Sequence, residues 1–118
     1  MKIDLHGYHS SDIVDTDVLA KIVQQAWEMG ETHLYPIHGH GHARRLSYSP
    51  GFVNTNTGYF GLAIRTALRH NLNLRRWIKY TTLDCTDGGA TSVKLKVNPT
   101  PTRTAPDPDL LPAKLFWR

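Results

Sequence analysis

Apolar and polar positions alternate from the second residue of the chain. "KIDLHG" sets Ile3 and Leu5 on one side of an extended segment that Gly7 ends, which is the period-two signature of a strand. The rhythm then changes. In "HSSDIVDTDVLAKIVQQAWEMG" a loop gives way to Val14, Val18, Ile22 and Ala26 at steps of four, with Leu19, Val23 and Trp27 alongside, and this spacing predicts an amphipathic helix. Asp15 and Asp17 suit its first turn and Gly30 its C-terminal cap. "THLYPIHG" returns to strand character. A strand, one helix and another strand predict a right-handed crossover between parallel neighbours.

Residues 40–57, "HGHARRLSYSPGFVNTNT", read as a long polar loop, a length that in compact domains marks function or mobility. A second helix follows in "GYFGLAIRTALRHN", with Phe60, Ile64, Ala67 and Leu68 as its apolar stripe and Asn71 near its end. "RRWIKYTTLDCT" and "ATSVKLKVN" flank Asp87-Gly88-Gly89, a tight-turn signal that predicts an antiparallel pair. The expected fold is therefore α/β, a two-layer β-α-β-α-β-β sandwich with a small mixed four-stranded sheet over residues 1–98. From Pro99 onward the chain holds five of its seven prolines, so residues 99–118 are expected as an extended arm outside the sheet. The arm's apolar end (Leu110, Leu111, Leu115, Phe116, Trp117) suits docking on its own domain, on a second copy or on a partner.

The length of 118 residues fits one such domain. Cys85 is the only cysteine, which excludes an internal disulfide and a cysteine-based zinc cluster. With no signal-peptide pattern and no apolar run of about 20 residues, a cytoplasmic, membrane-free protein is expected. Charge changes the picture more. Residues 1–43 carry a net −4, whereas residues 44–98 carry nine basic side chains against Asp84 and Asp87. A concentrated basic half suits a partner rich in phosphate, although a solvated face has the same composition.

Topology then brings candidate chemistry together. In open α/β sheets ligands bind beyond the carboxyl ends of the parallel strands. Asp4-Leu5-His6-Gly7 ends the first strand and His38-Gly39-His40-Gly41 the second. Bare glycine backbone allows close approach of an anion, and Arg44 and Arg45 follow directly.

These residues carry a resemblance. "IDLHG" near the amino terminus, "HGHG" after one helix, "GYFGLAIRTAL" as second helix and "DGGATSVKLKV" as closing hairpin together resemble the Smr (small MutS-related) domain, whose hallmarks are a Leu-Asp-x-His motif and a Thr/His-Gly-x-Gly motif. The likeness spans roughly residues 2–98. Ile3 stands where leucine is usual, and the loop at 42–57 is longer than the common version. Smr domains resemble the carboxyl-terminal domain of a bacterial translation initiation factor and a nuclease fold; many nick DNA or cut RNA, and some only bind. The resemblance implies nucleic-acid cleavage, with Asp4 and His6 carried over from the first motif and His38, Gly39 and Gly41 from the second.

Phosphodiester cleavage needs a base, an acid and neutralisation of phosphate charge. Histidine can take either proton role near neutrality. His6 is the expected general base or acid, His38 or His40 the second proton carrier, and Asp4 the residue that orients a histidine. Gly39 and Gly41 would offer N–H groups to the phosphate. Arg44, Arg45, Arg65 and Arg69, with Arg75, Arg76 and Lys79, could follow a phosphate backbone. Tyr48, Phe52 and Tyr59 are candidates for stacking bases, while Trp27 and Trp77 suit the core, Cys85 a buried position, and His9, His33 and His70 the surface. Singly, each has a structural reading: Asp4 as a turn cap, His6 as a satisfied histidine. His38, His40 and His42 could share a face toward zinc, but ligands from a second segment at fixed spacing are missing, so no bound metal is expected. A loosely held Mg²⁺ or Mn²⁺ at Asp4 is compatible with the pattern, and no cofactor is required. The expected activity is an endonuclease; the alternative is a non-catalytic module that binds RNA, DNA, the ribosome or another ribonucleoprotein.

Overall fold

The computed structural model describes residues 1–39 and 58–109. The expectations for His40, Gly41, Arg44, Arg45, Tyr48 and Phe52, and for the apolar end of the arm, lie outside the described residues. In chain order the elements are β1 (Lys2–Asp4), α1 (Ser10–Ile13), α2 (Val18–Glu28), β2 (His33–Ile37), α3 (Tyr59–His70), α4 (Leu72–Arg75), β3 (Ile78–Asp84) and β4 (Ser92–Leu95). The sheet runs β1-β2-β4-β3. β1 and β2 are parallel, and β4 is antiparallel to both β2 and β3. This is the expected mixed α/β sheet, and no helix among the described residues is long and apolar enough to cross a membrane.

Alternation along the strands decides which face is covered. Ile3, Leu34, Val93, Leu95 and Ile78 are buried, while Lys2, His33, Lys79 and Lys94 are exposed. The buried face meets Leu19, Ile22, Val23 and Ala26 of α2 and Ile64 and Leu68 of α3, closed by Ile13 and Leu74. Each Val, Leu or Ile among these contributes about 1.5–3 kcal/mol when fully buried. Since α1 packs on α3 and α2 on α4, the helices form one layer, and among the described residues no helix covers the opposite sheet face.

Three local expectations change. The helix after residue 9 is split: α1 ends at Ile13 and α2 starts only at Val18. Asp17 is the N-cap of α2 but makes no side-chain cap bond; the residue before it, Thr16, bridges the break, its Oγ1 accepting from the Val18 N–H at 3.3 Å and donating to the Asp12 carbonyl at 2.8 Å. Before β3, Asn71 Oδ1 accepts from the Asn73 N–H at 2.9 Å and opens α4, so the strand begins at Ile78 and not at Arg75. The Asp87-Gly88-Gly89 turn lies inside a longer connection, 85–91, between β3 and β4, and Cys85 within it is half-exposed, not buried. Trp27 and Trp77 pack on each other, ring centroids 5.0 Å apart.

The C-terminus of α2 is closed as its glycine requires. Gly30 has φ +78°, its N–H donates to the Trp27 carbonyl at 3.0 Å, and the Glu31 N–H donates to that of Ala26 at 3.1 Å. That pair of bonds is a Schellman closure. The arm returns over this end. Thr102 and Arg103 N–H groups both donate to the Glu28 carbonyl (2.9 and 3.1 Å), and the Asp107 N–H donates to Gln25 Oε1 at 2.8 Å. Residues 99–109 hold neither helix nor strand and lie along α2. A Cβ on Gly30 would sit 2.8 Å from Pro101 Cγ. Gly30→Ala should therefore cost about 2 kcal/mol, combining left-handed strain with that collision. In chemical denaturation, Pro101→Gly in the same chain should recover the steric part alone; full recovery, or none, would refute the division.

Candidate functional site

β1 and β2 are parallel, with Asp4 beside Ile37, so both histidine-bearing turns leave the same edge. The Leu5 N–H still donates to the Ile37 carbonyl at 2.7 Å; the chain then turns at Gly7, φ +89°. In this turn the His6 N–H donates to Asp4 Oδ1 at 3.1 Å, and the His6 ring bonds the same carboxylate oxygen through Nδ1. A carboxylate accepts only, so Nδ1 carries a proton, and in the neutral ring it is Nε2 that presents the lone pair. The His6 side chain is 70% exposed and that of Asp4 is 12% exposed. A half-sheltered carboxylate thus orients an imidazole that faces solvent.

His38 is placed otherwise. It is 3% exposed, with Nδ1 2.9 Å from the Gly39 carbonyl and Nε2 2.9 Å from Thr91 Oγ1. Both ring nitrogens are committed, an arrangement suited to holding the loop and not to carrying protons. Arg65 is also turned inward. Its Nε donates to Thr91 Oγ1 at 2.8 Å, and its Nη2 donates to the carbonyls of Asp87 and Ala90 at 2.5 and 3.0 Å. With Thr91 Oγ1 accepting from Arg65, the hydroxyl proton is left to donate to a neutral His38 at Nε2. Arg65 is therefore a clasp between α3 and the β3–β4 connection, while Arg69, one turn on, is exposed.

Gly39 stands between the two motifs. Its φ is +76°, and a Cβ there would lie 3.4 Å from His6 Cβ. Its N–H does not point at an open site: the N–H groups of both His38 and Gly39 donate to the Gly89 carbonyl at 3.1 and 2.9 Å. Gly89 in turn donates to Asp87 Oδ1 at 2.8 Å. The expected phosphate-cradling role of the Gly39 amide is replaced by a backbone tie to the hairpin. Gly39→Val should still disturb this edge, because β-branched residues resist a left-handed φ and the valine methyls, beyond a Cβ in ordinary contact with His6, would press on that side chain, at a stability cost of about 1–2 kcal/mol. A folded Gly39→Val protein with unchanged activity would separate Gly39 from the site.

Around this edge the hairpin supplies acidic groups. Tyr35 Oη donates to Asp87 Oδ2 at 3.2 Å; partial desolvation first, then that bond and the charges of Asp87 and Asp84, raise the phenol's pKa. The Thr86 N–H and hydroxyl bond Asp84 (3.0 and 2.7 Å) and lower its carboxyl. Among the described residues no group of three or more His, Cys, Asp or Glu is placed to hold a metal ion. Of the remaining candidates, Tyr59 is exposed, as are His9, His33 and His70. Arg75 lies over the Tyr80 ring at 3.8 Å and Arg76 over Trp77 at 5.1 Å. The positional roles of Thr91 and Gly89 carried no signal in the sequence beyond the Gly-Gly turn. Comparison with known proteins finds no matching family model, no matching curated protein and no matching solved structure.

Proposed function

We propose that the chain is an Smr-type endonuclease that cleaves phosphodiester bonds with His6 as the proton-transfer group. One observation carries this reading: an exposed imidazole oriented through Nδ1 by the Asp4 carboxylate at the carboxyl ends of two parallel strands. An oriented base of this kind contributes typically about 10²–10⁴-fold to rate. In the proposed step His6 Nε2 takes the proton of an attacking water or ribose hydroxyl. The new P–O bond forms as the bond to the leaving oxygen breaks, and that oxygen receives a proton. His38, with both nitrogens committed, is a positioning residue here; the second proton comes from His40 or from solvent.

A second reading, a nucleic-acid-binding module without chemistry, is favoured by one feature. The Gly39 amide and the Arg65 guanidinium, both candidates for phosphate, are used inside the fold. Incubation with end-labelled single-stranded and duplex RNA and DNA, with and without EDTA, separates the readings. Cleavage that vanishes in a folded Asp4→Ala/His6→Ala double variant supports the enzyme. Binding without cleavage of any substrate supports the module. Loss of wild-type cleavage in EDTA would add a divalent ion such as Mg²⁺ or Mn²⁺ to the reading.

A further inference from the structure

The open face of the sheet carries a charge pattern that the fold itself does not answer. Strand pairing sets Lys79 of β3 directly beside Lys94 of β4, and His33 of β2 on the other side of Lys94. Lys96 continues the same face two residues on, and Lys2 lies on β1 beside Tyr35. All four lysines are exposed. Among the described residues, none of them lies within ion-pair distance of a carboxylate; the ion pairs there belong to the amino terminus, His6, Lys21 and Arg103. Like charges directly opposite on neighbouring strands destabilise a sheet, and nothing nearby relieves the Lys79–Lys94 pair. The described part of the arm, residues 99–109, runs along α2 in the other layer.

We propose that this lysine face is a docking track for the sugar–phosphate backbone of a single-stranded nucleic acid, leading to His6; the destination rests on the nuclease reading, the track does not. Three inter-strand steps of about 4.8 Å separate β1 from β3, so the patch is about 14 Å wide, and Lys94 and Lys96 are about 7 Å apart along their strand. That suits the low end of single-strand site sizes, about four nucleotides. Lys2 and Asp4 share one face of β1, a further ~7 Å along the strand, which makes the track continuous with the His6 turn. Point charges on flexible stems suit phosphates. Protein interfaces, in contrast, deplete lysine and need apolar anchors, and the described residues of β2 give this face only the half-buried Ile37 and the ring of Tyr35, under Lys2 Nζ at 5.7 Å. A sheet face also suits unpaired bases better than a duplex, whose grooves admit a helix or a narrow ribbon.

The test measures binding in the His6→Ala background, so that no strand is cut. A fluorescein-labelled 12-nucleotide oligo-dT and its RNA counterpart are titrated at several salt concentrations. Replacing Lys79, Lys94 and Lys96 together by Gln should reduce the slope of log affinity against log salt by about 2 units, from roughly 0.7 per phosphate contact in single strands. The triple Arg variant should keep the slope, and thermal melts should show both variants folded. If the triple Gln variant unfolds, the three single variants, each expected to lose about 0.7, decide the matter. An unchanged slope overturns the track, as does failure of the unmodified face to bind either strand. Equal, equally lysine-dependent binding of a duplex overturns the single-strand assignment, and equal competition by polyglutamate overturns the nucleic-acid one. The two proposals fail separately. A lysine-dependent slope in a protein that cuts nothing leaves the track standing and removes the nuclease, whereas wild-type cleavage with a lysine-independent slope does the reverse.

Discussion

His6→Ala should lower strand cleavage by about 10²–10⁴-fold, the usual contribution of a positioned acid–base group, with thermal stability changed by no more than about 0.5 kcal/mol. The two halves of that expectation have one source. The imidazole is 70% exposed, so its removal opens no cavity, and its bond to Asp4 matters for the direction of Nε2 more than for holding the fold. Asp4→Asn keeps the shape and an acceptor for the His6 N–H but gives up the charge that fixes the ring. A smaller loss is expected there, about 10–100-fold, the range seen when a carboxylate that orients a histidine is altered. Single-turnover rates on a labelled strand measure both. A folded His6→Ala protein that cuts at the wild-type rate would remove His6 from the chemistry.

The largest effect on stability should come from Arg65→Met. Methionine replaces most of the side chain's volume, yet the acceptors on Thr91, Asp87 and Ala90 lose a donor in a site that is 9% exposed. Hydrogen bonds to a charged group contribute about 1.5–3 kcal/mol each, and stranded buried acceptors add to the cost. With relaxation and entering water offsetting part of this, a net loss of about 3 kcal/mol is expected, a fall in Tm of roughly 10–20 °C for a domain of this size. Arg65→Lys should restore little, because one ammonium cannot reproduce the fork. Arg69→Met is the control, since that side chain is exposed, and its Tm should stay close to wild type. Equal losses at 65 and 69 would mean that the clasp is not what stabilises the connection.

The alternation of strand and helix was legible because it rests on periodicity: Ile3 with Leu5, the α2 stripe from Val18 to Ala26, and Ile64 with Leu68 each repeat in the pattern their element requires. Elements of four residues, α1 and α4, are too short to show a period, and the second of them fell between the helix reading that ended at Asn71 and the strand reading that began at Arg75. Asp4 and His6 could be paired from sequence since they lie two residues apart at a strand end. His38 and Arg65 could not be assigned so well. What makes one a buried brace and the other a clasp is Thr91, 53 and 26 residues away, and a polar residue on a helix reads as solvated until its distant partner is known. Gly39 was legible as a positive-φ position, but the use of its amide depends on the Gly89 carbonyl.

The Gly89 tie also sets a schedule. β4 lies between β2 and β3 in the sheet although it follows both in the chain, and the carbonyl that receives the His38 and Gly39 amides is in the connection leading into it. As the chain emerges from the ribosome, both histidine motifs are present long before anything can hold them in register. A nascent chain released before residue 89 would carry all of the candidate catalytic residues but not the carbonyl that fixes the His38–Gly39 turn. The His38–Gly39 turn is therefore held in register only once the connection into β4 has folded back beside β2.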